Sequence, residues 1–434
     1  MIRDYKIKKD RFLSFYFFLM YLYTSMPAIQ FSMTDISNPF FVLIGYGLTM
    51  IAAFKYRINF FNKRIFLVVL IIICWTIAQF LLHRSYFRFS PFIILEIISA
   101  YTIIKIYRTS IFKKFEDITC LLCVIALIGW ILNIVLNPVM IYIAKTIGIV
   151  ASGKLSSTLL LYTVNTTDGI RNCGFGWEPG RTACMVTVGI LLYLMRTKFN
   201  LRKKRFWIMT LCLITTFSTT GYSIFIVILS LCYISMKRIN PVVIFSITAI
   251  SMITLSLPFM WEKIAGLTEQ ATKEGIAKIS RSLDWEATNE GQGEREYYVP
   301  QRFQGLMLSV INLQNSDHLI GDGRDFTQFY INRVSNWKVK TSEGILEPIA
   351  QYGIIIAFLM YYSLYITSKR ISYIYKVNNK WLYFIVFVMI NISYNFWETP
   401  LFMTIWMIPI FIKSNHAKSR PAITVNSNSL LQQC

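Results

Sequence analysis

Residues 65–82 read IFLVVLIIICWTIAQFLL, eighteen positions without one charged side chain. As a helix this run is about 27 Å long, close to the thickness of a hydrocarbon core. Blocks of the same character recur along a chain of 434 residues that is 55% hydrophobic and only 15% charged. A soluble protein of ordinary composition carries about 25% charged residues. The blocks place spans near residues 12–31, 39–54, 65–82, 89–104, 118–136, 181–195, 206–220, 222–236, 241–260, 343–367, 381–394 and 399–412. The first is long and aromatic with no small-residue cleavage site after it, so it reads as a spanning helix rather than a signal peptide.

The net charge of +22 would suit a nucleic-acid partner, but its distribution excludes one. With the N-terminus inside, 28 of the 44 Lys and Arg fall in the short gaps that alternate to the inner side, such as residues 55–64, 196–205 and 369–380. Those segments carry only four acids, Asp4, Asp10, Glu116 and Asp117. This is the positive-inside pattern, and it puts both termini in the cytoplasm of a multi-pass inner-membrane protein. The expected organisation is therefore residues 1–260 with nine spans, a large periplasmic loop at 261–342, three spans in 343–413, and a cytoplasmic tail at 414–434.

Two outer segments are too long for simple turns. The first, about 137–180, opens with PVMIYIAKTIGIV, a short apolar stretch of re-entrant or interfacial character. The second, 261–342, holds 10 basic and 11 acidic residues and is suited to an aqueous face. Within it Phe303, Leu306, Met307, Val310 and Ile311 follow helical spacing and predict an amphipathic helix. No strand-rich region is expected. Cys120 and Cys123 form a CxxC inside an apolar block, where small core residues are the ordinary reading. Cys173 is the single outer cysteine, and His83, His318 and His416 lack metal-ligand spacing, so neither a disulfide nor a metal site is expected.

Charged groups beside membrane spans are costly and invite a functional reading. Three clusters lie toward the outer side. In RNCGFGWEPGRTA, residues 171–183, Pro179 suits the first turn of a helix, which puts Glu178 at or next to its N-cap. Arg171 and Arg181 flank that helix start, where free N–H groups and guanidinium together fit a phosphate or pyrophosphate. The competing reading is a capped helix with an interfacial arginine at each side. In FSTTGYS, residues 217–223, Ser218, Thr219 and Thr220 suit either a sugar or phosphate ligand or the capping of two helix ends. The third cluster comprises Arg302, the LIGDGRDF run with Asp322 and Arg324, and Ser342 and Glu343 before the next span. Asn395 and Glu398 occupy the outer turn before the last span. Glu96, within the fourth span, reads as a buried structural partner.

The order of these motifs resembles that of bacterial Wzy-type polysaccharide polymerases and the related O-antigen ligases. The resemblance rests on Arg171, Gly174, Phe175 and Glu178-Pro179-Gly180, on the turn at 218–221, on Arg302 with Leu319 to Gly323 and Phe326, and on Ser342 with Leu346 to Gly353. It implies an all-α, GT-C-like glycosyltransferase fold of about twelve membrane helices. It also implies a substrate of undecaprenyl-pyrophosphate-linked oligosaccharide, polymerised at the outer face of the inner membrane into O-antigen, capsule or exopolysaccharide, without metal or nucleotide cofactor. A flippase and a chain-length regulator are the implied partners besides membrane lipid. The ligases place a histidine at the start of the helix after the large loop; Ser342 stands there, which favours the polymerase. A lipid-linked-glycan flippase or other transporter is the alternative from another class, although related halves are not visible.

In the polymerase reading Arg171, Arg181 and Arg302 contact the pyrophosphate, with Arg324 a weaker candidate. Ser218, Thr219, Ser342 and Glu343 contact glycan or phosphate. Glu178 is the first choice for general base on the acceptor hydroxyl, and Asp322 the second.

Overall fold

The computed structural model describes residues 11–25, 40–83, 92–147, 149–150, 156–159, 161–165, 170–236, 302–315, 319–324, 329 and 343–412. The described helices are α1 (Arg11–Ser25), α2 (Phe40–Lys55), α3 (Lys63–His83), α4 (Phe92–Tyr107), α5 (Ser110–Val135), α6 (Asn137–Ile147), α7 (Pro179–Thr197), α8 (Lys204–Thr215), α9 (Thr219–Met236), α10 (Arg302–Asn315), α11 (Glu347–Ile374), α12 (Leu382–Asn391) and α13 (Pro400–Phe411). Every expected span except that near 241–260 falls on one of them; that one, most of the 261–342 loop and the tail lie outside the described residues. Among the described residues three helices, α3, α5 and α11, are long and apolar enough to cross a membrane. Only 11% of the apolar stretch of α3 is buried within the protein, and Phe66, Leu67, Leu81 and Leu82 all point outward. Apolar surface on that scale marks a membrane protein.

The axis of the bundle is α7. Every residue from Pro179 to Met195 is buried, as expected of a helix that is apolar on all sides. Close approach is allowed by Gly189, where an added Cβ would sit 2.6 Å from Thr119 of α5, and by Gly221 of α9, 2.6 Å from Ala183. The two ends of this axis are about 27 Å apart. One starts at the N-cap Glu178, in extended backbone, with Pro179 following. At the other, Arg196 makes two 2.6 Å bonds to Glu116, which is fully buried, and Arg205 pairs with Asp117 at 2.5 Å. Glu116 and Asp117 are therefore structural staples between α5, α7 and α8.

One expectation needs correction, and another gains detail. The chain is mostly helical but not wholly so: β1 (Ile149–Val150), β2 (Ser156–Leu159) and β3 (Tyr162–Asn165) form an antiparallel sheet in that order. Its Tyr162 and Val164 are buried against Ala144 of α6, with Trp130 and Ile141 beside them. The backbone N–H of Thr163 donates to the Gly174 carbonyl at 2.8 Å, so the sheet props the segment that leads into α7. The amphipathic helix expected in the large loop is present as α10. Gly305, Leu308, Ser309 and Asn312 are buried, while Val310 is 36% exposed. The helix packs on α11, and its buried Ser309 lies near the Glu343 carboxylate. Apolar periodicity alone could not reveal that contact.

Candidate functional site

The short connection between α12 and α13, residues 392–399 (ISYNFWET), meets each of the three polar clusters. Ser393 shares a 3.0 Å hydrogen bond with Thr220 at the start of α9. Tyr394 donates its hydroxyl to the Glu178 carboxylate at the start of α7. Trp397 donates its indole N–H to the Gly344 carbonyl at 2.6 Å, just before α11. Glu398 accepts from Arg324 and from Tyr352, each at 2.5 Å. Asn391 and Asn395 fold the connection on itself by accepting from the backbone N–H groups of Phe396 and Trp397.

Residues 171–178 and 215–220 are one unit. The Asn172 side chain bonds the Thr215 hydroxyl and its N–H bonds the Thr215 carbonyl, both at 2.9 Å. Beside them Arg171 reaches the carbonyls of Thr216 and Phe217 at 3.4 and 3.3 Å. These contacts are long, and the side chain stays half-buried rather than sealed. The chain then reverses at Gly174, with φ +58°, and Thr182 locks the reversal by donating to Cys173 and accepting from Gly176. Ser218 accepts the Gly221 N–H at 3.3 Å, so its hydroxyl caps α9; Thr219 is half-buried beside it.

The third cluster is built on a helix break. Within α11 Gly353 adopts φ 75°, ψ 168°, a conformation essentially confined to glycine. The freed carbonyls of Ala350 and Gln351 accept from Asp322 at 2.7 Å and Gly323 at 3.0 Å. Gln79 and Trp75 of α3 clamp both strands of this junction: Gln79 donates to Ile320 and Gln351, and Trp75 to Ile320 and Tyr352. The clamp delivers Arg324 to two carboxylates, 2.5 Å from Glu398 and 3.3 Å from Glu96 of α4.

The structure thus brings Arg171, Glu178, Ser218, Thr219, Asp322, Arg324 and Glu343 to one end of the bundle, but several have work other than the one expected. Arg181 is 4% exposed; it donates to the carbonyls of Ser25 and Thr24 at 3.1 and 3.0 Å and lies over the Phe396 ring at 4.4 Å. That ties the end of α1 to the 392–399 connection, the role of a structural cap rather than a ligand contact. Glu343 accepts from the N–H groups of Ile345 and Leu346, and burial nonetheless pushes its carboxyl above the ordinary range. Asp322 is 5% exposed and contributes its backbone. Arg324 faces two acids, which makes it their counter-ion and a poor pyrophosphate ligand. The Arg302 side chain and Ser342 lie outside what is described, though the helix that begins at Arg302 docks on α11 at this same end. Glu96, expected as a buried structural partner, does pair with Arg324, but it is only half-buried, with its side chain 15% exposed.

Sequence reasoning passed over Tyr352, Tyr394, Trp75 and Gln79. A usable signal existed for one of them: NISYNFWETP, residues 391–400, concentrates polar and aromatic residues in a turn that needs far fewer. Comparison with protein-family models, with characterised proteins and with solved structures finds no match.

Proposed function

We propose that this protein is a polysaccharide polymerase that joins glycan units carried on lipid pyrophosphate, at the outer face of a bacterial inner membrane. In this reading all twelve apolar blocks cross the bilayer in a GT-C-like arrangement, and the Glu178 end of the bundle faces outward. One observation carries the proposal: four sequence-distant motifs meet at residues 392–399 and give that end two poles of opposite charge.

The first pole is cationic. Arg171 bonds the Thr216 and Phe217 carbonyls, at the turn that runs through Ser218, Thr219 and Thr220 into α9. A guanidinium, hydroxyls and a helix N-terminus suit a pyrophosphate leaving group. The second pole is anionic, with Glu96 and Glu398 sharing Arg324. Ser393 touches the first pole and Glu398 the second, and five residues of chain span at most about 18 Å. A donor pyrophosphate and an acceptor hydroxyl therefore fit side by side. Because lipid pyrophosphate is already a good leaving group, the protein's task is to hold both partners, stabilise the developing charge and keep water out.

Purified protein supplied with a lipid-linked repeat unit should produce a ladder of longer lipid-linked chains. Arg171→Ala and Arg302→Ala should each abolish long chains while the protein still inserts. Wild-type chain lengths in both variants would overturn the placement of the donor. Cysteines introduced at Glu290 and Asn200 test the orientation, since only the former should react with an impermeant reagent added from outside.

A further inference from the structure

We infer that Glu96 is the base that activates the acceptor hydroxyl, with Arg324 and Glu398 as the residues that position it. This rests on the glycosyl-transfer reading above and assigns a role within the same site.

Asp322 and Glu343, 5% and 1% exposed, are sealed from a substrate, and the other three carboxylates of this site, Glu398, Glu178 and Glu96, differ in what their oxygens are doing. Both oxygens of Glu398 are committed, one to the Tyr352 hydroxyl and the other to Arg324, each at 2.5 Å. Glu178 takes the Tyr394 hydroxyl and sits at the N-terminus of α7. Oxygens already occupied by such donors leave less room for a substrate hydroxyl. Glu96 is held differently: Arg324 approaches its two oxygens only at 3.3 and 3.5 Å, which keeps the group oriented without saturating its lone pairs. Its side chain is 15% exposed, so a substrate hydroxyl can reach it. Four residues into α4, it lies about 6 Å along the helix from Phe92, on the side of the bundle where α11 breaks.

The charge arithmetic points the same way. Two carboxylates with one guanidinium carry a surplus negative charge. That repels a pyrophosphate and attracts a hydrogen-bond donor such as a sugar hydroxyl. In the transfer, the acceptor oxygen forms its bond to the anomeric carbon of the donor glycan as the bond from that carbon to the pyrophosphate oxygen breaks. The lipid pyrophosphate leaves with the electron pair, and the hydroxyl proton passes to Glu96 and then to water. One bond forms, one breaks and one proton is released, so no further reactant is needed.

The test is the pH profile of chain extension by purified protein, in wild type, Glu96→Gln and Glu96→Asp. The charged or titratable groups facing Glu96 among the described residues are Arg324, Glu398, Tyr352 and Tyr46; α3 brings only Trp75 and Gln79 to this neighbourhood. Glu96→Gln keeps the shape and the contact with Arg324. It should lower kcat by 100-fold or more with KM for the donor unchanged, and should flatten the acid limb of the profile. Glu96→Asp should retain that limb at reduced rate. If wild type extends chains and Glu96→Gln does so within threefold with the acid limb intact, the assignment is overturned while the polymerase reading survives. If wild type extends nothing, it is the polymerase reading that fails. Should Glu96→Gln not accumulate in the membrane, Glu96→Asp decides: loss of at least tenfold in kcat at unchanged Tm supports the base, and full activity refutes it.

Discussion

Replacing Gly353 by alanine tests whether the helix break holds the site together. An added Cβ would lie 2.3 Å from the Leu319 carbonyl oxygen and 2.6 Å from the Ile320 carbonyl carbon, both backbone atoms that cannot swing aside. The backbone conformation itself costs a non-glycine residue about 1–3 kcal/mol. Relief requires residues 319–323 to move off α11, which breaks the bonds from Asp322 to Ala350 and from Gly323 to Gln351, about 1 kcal/mol each. The docked arrangement therefore loses roughly 3–5 kcal/mol, more than two orders of magnitude in its equilibrium against the undocked one. Hydrogen exchange of the 319–324 peptide reads this directly. Its amides should exchange at least 100-fold faster in Gly353→Ala, and chain extension should fall in parallel because Arg324 no longer reaches Glu96 and Glu398. Gly47→Ala is the control, since nothing lies within 4 Å of its added Cβ. Native exchange and native activity in Gly353→Ala would refute the claim that the break organises the site.

Other substitutions separate structure from chemistry. Glu116→Gln should destabilise the protein by about 2–3 kcal/mol, at or below the low end for a broken buried ion pair because Arg196 is 31% exposed; activity per folded molecule should be unchanged, as measured by a thermal melt and a normalised extension assay. Arg181→Lys should reduce abundance with loss of the twin carbonyl contacts, yet leave KM for the donor as in wild type; a large rise in KM would restore Arg181 to the binding site. Glu343 titrates higher in the folded protein than in the unfolded chain, so the folded form binds more protons over that interval and stability should fall as pH rises through it. In Glu343→Gln that part of the pH dependence of Tm should vanish.

Much of this architecture was written in local chemistry. Long apolar blocks specify helices whatever surrounds them, and Pro179 after Glu178 announces a helix start, found where expected. The site was legible as a set of motifs but not as a set of roles. Arg171 and Arg181 look alike in sequence, ten residues apart beside one helix start. Which of them is sealed against Ser25 depends on where α1 ends, and neighbouring residues do not encode that. Tyr352 and Tyr394 were hidden because an aromatic in or near an apolar block is ordinarily packing or interface material. Their hydroxyls acquire meaning only once Glu398 and Glu178 arrive from elsewhere in the chain. Which face of α10 packs on the bundle was not written in its spacing, for a related reason: in a membrane protein an apolar stripe need not be the stripe that faces the protein.

The 392–399 connection lies between the last two described helices, and this has a consequence for biosynthesis. A ribosome delivers Arg171, Glu178 and Thr220 long before the residues that receive them, so the nascent protein carries those motifs without the partners that join them. Only the arrival of residues 392–399 closes the constellation. A polypeptide stopped after Asn391 would keep most of the described helices but lack every one of these contacts, so under the proposed function its site would stay unassembled until residues 392–399 are made.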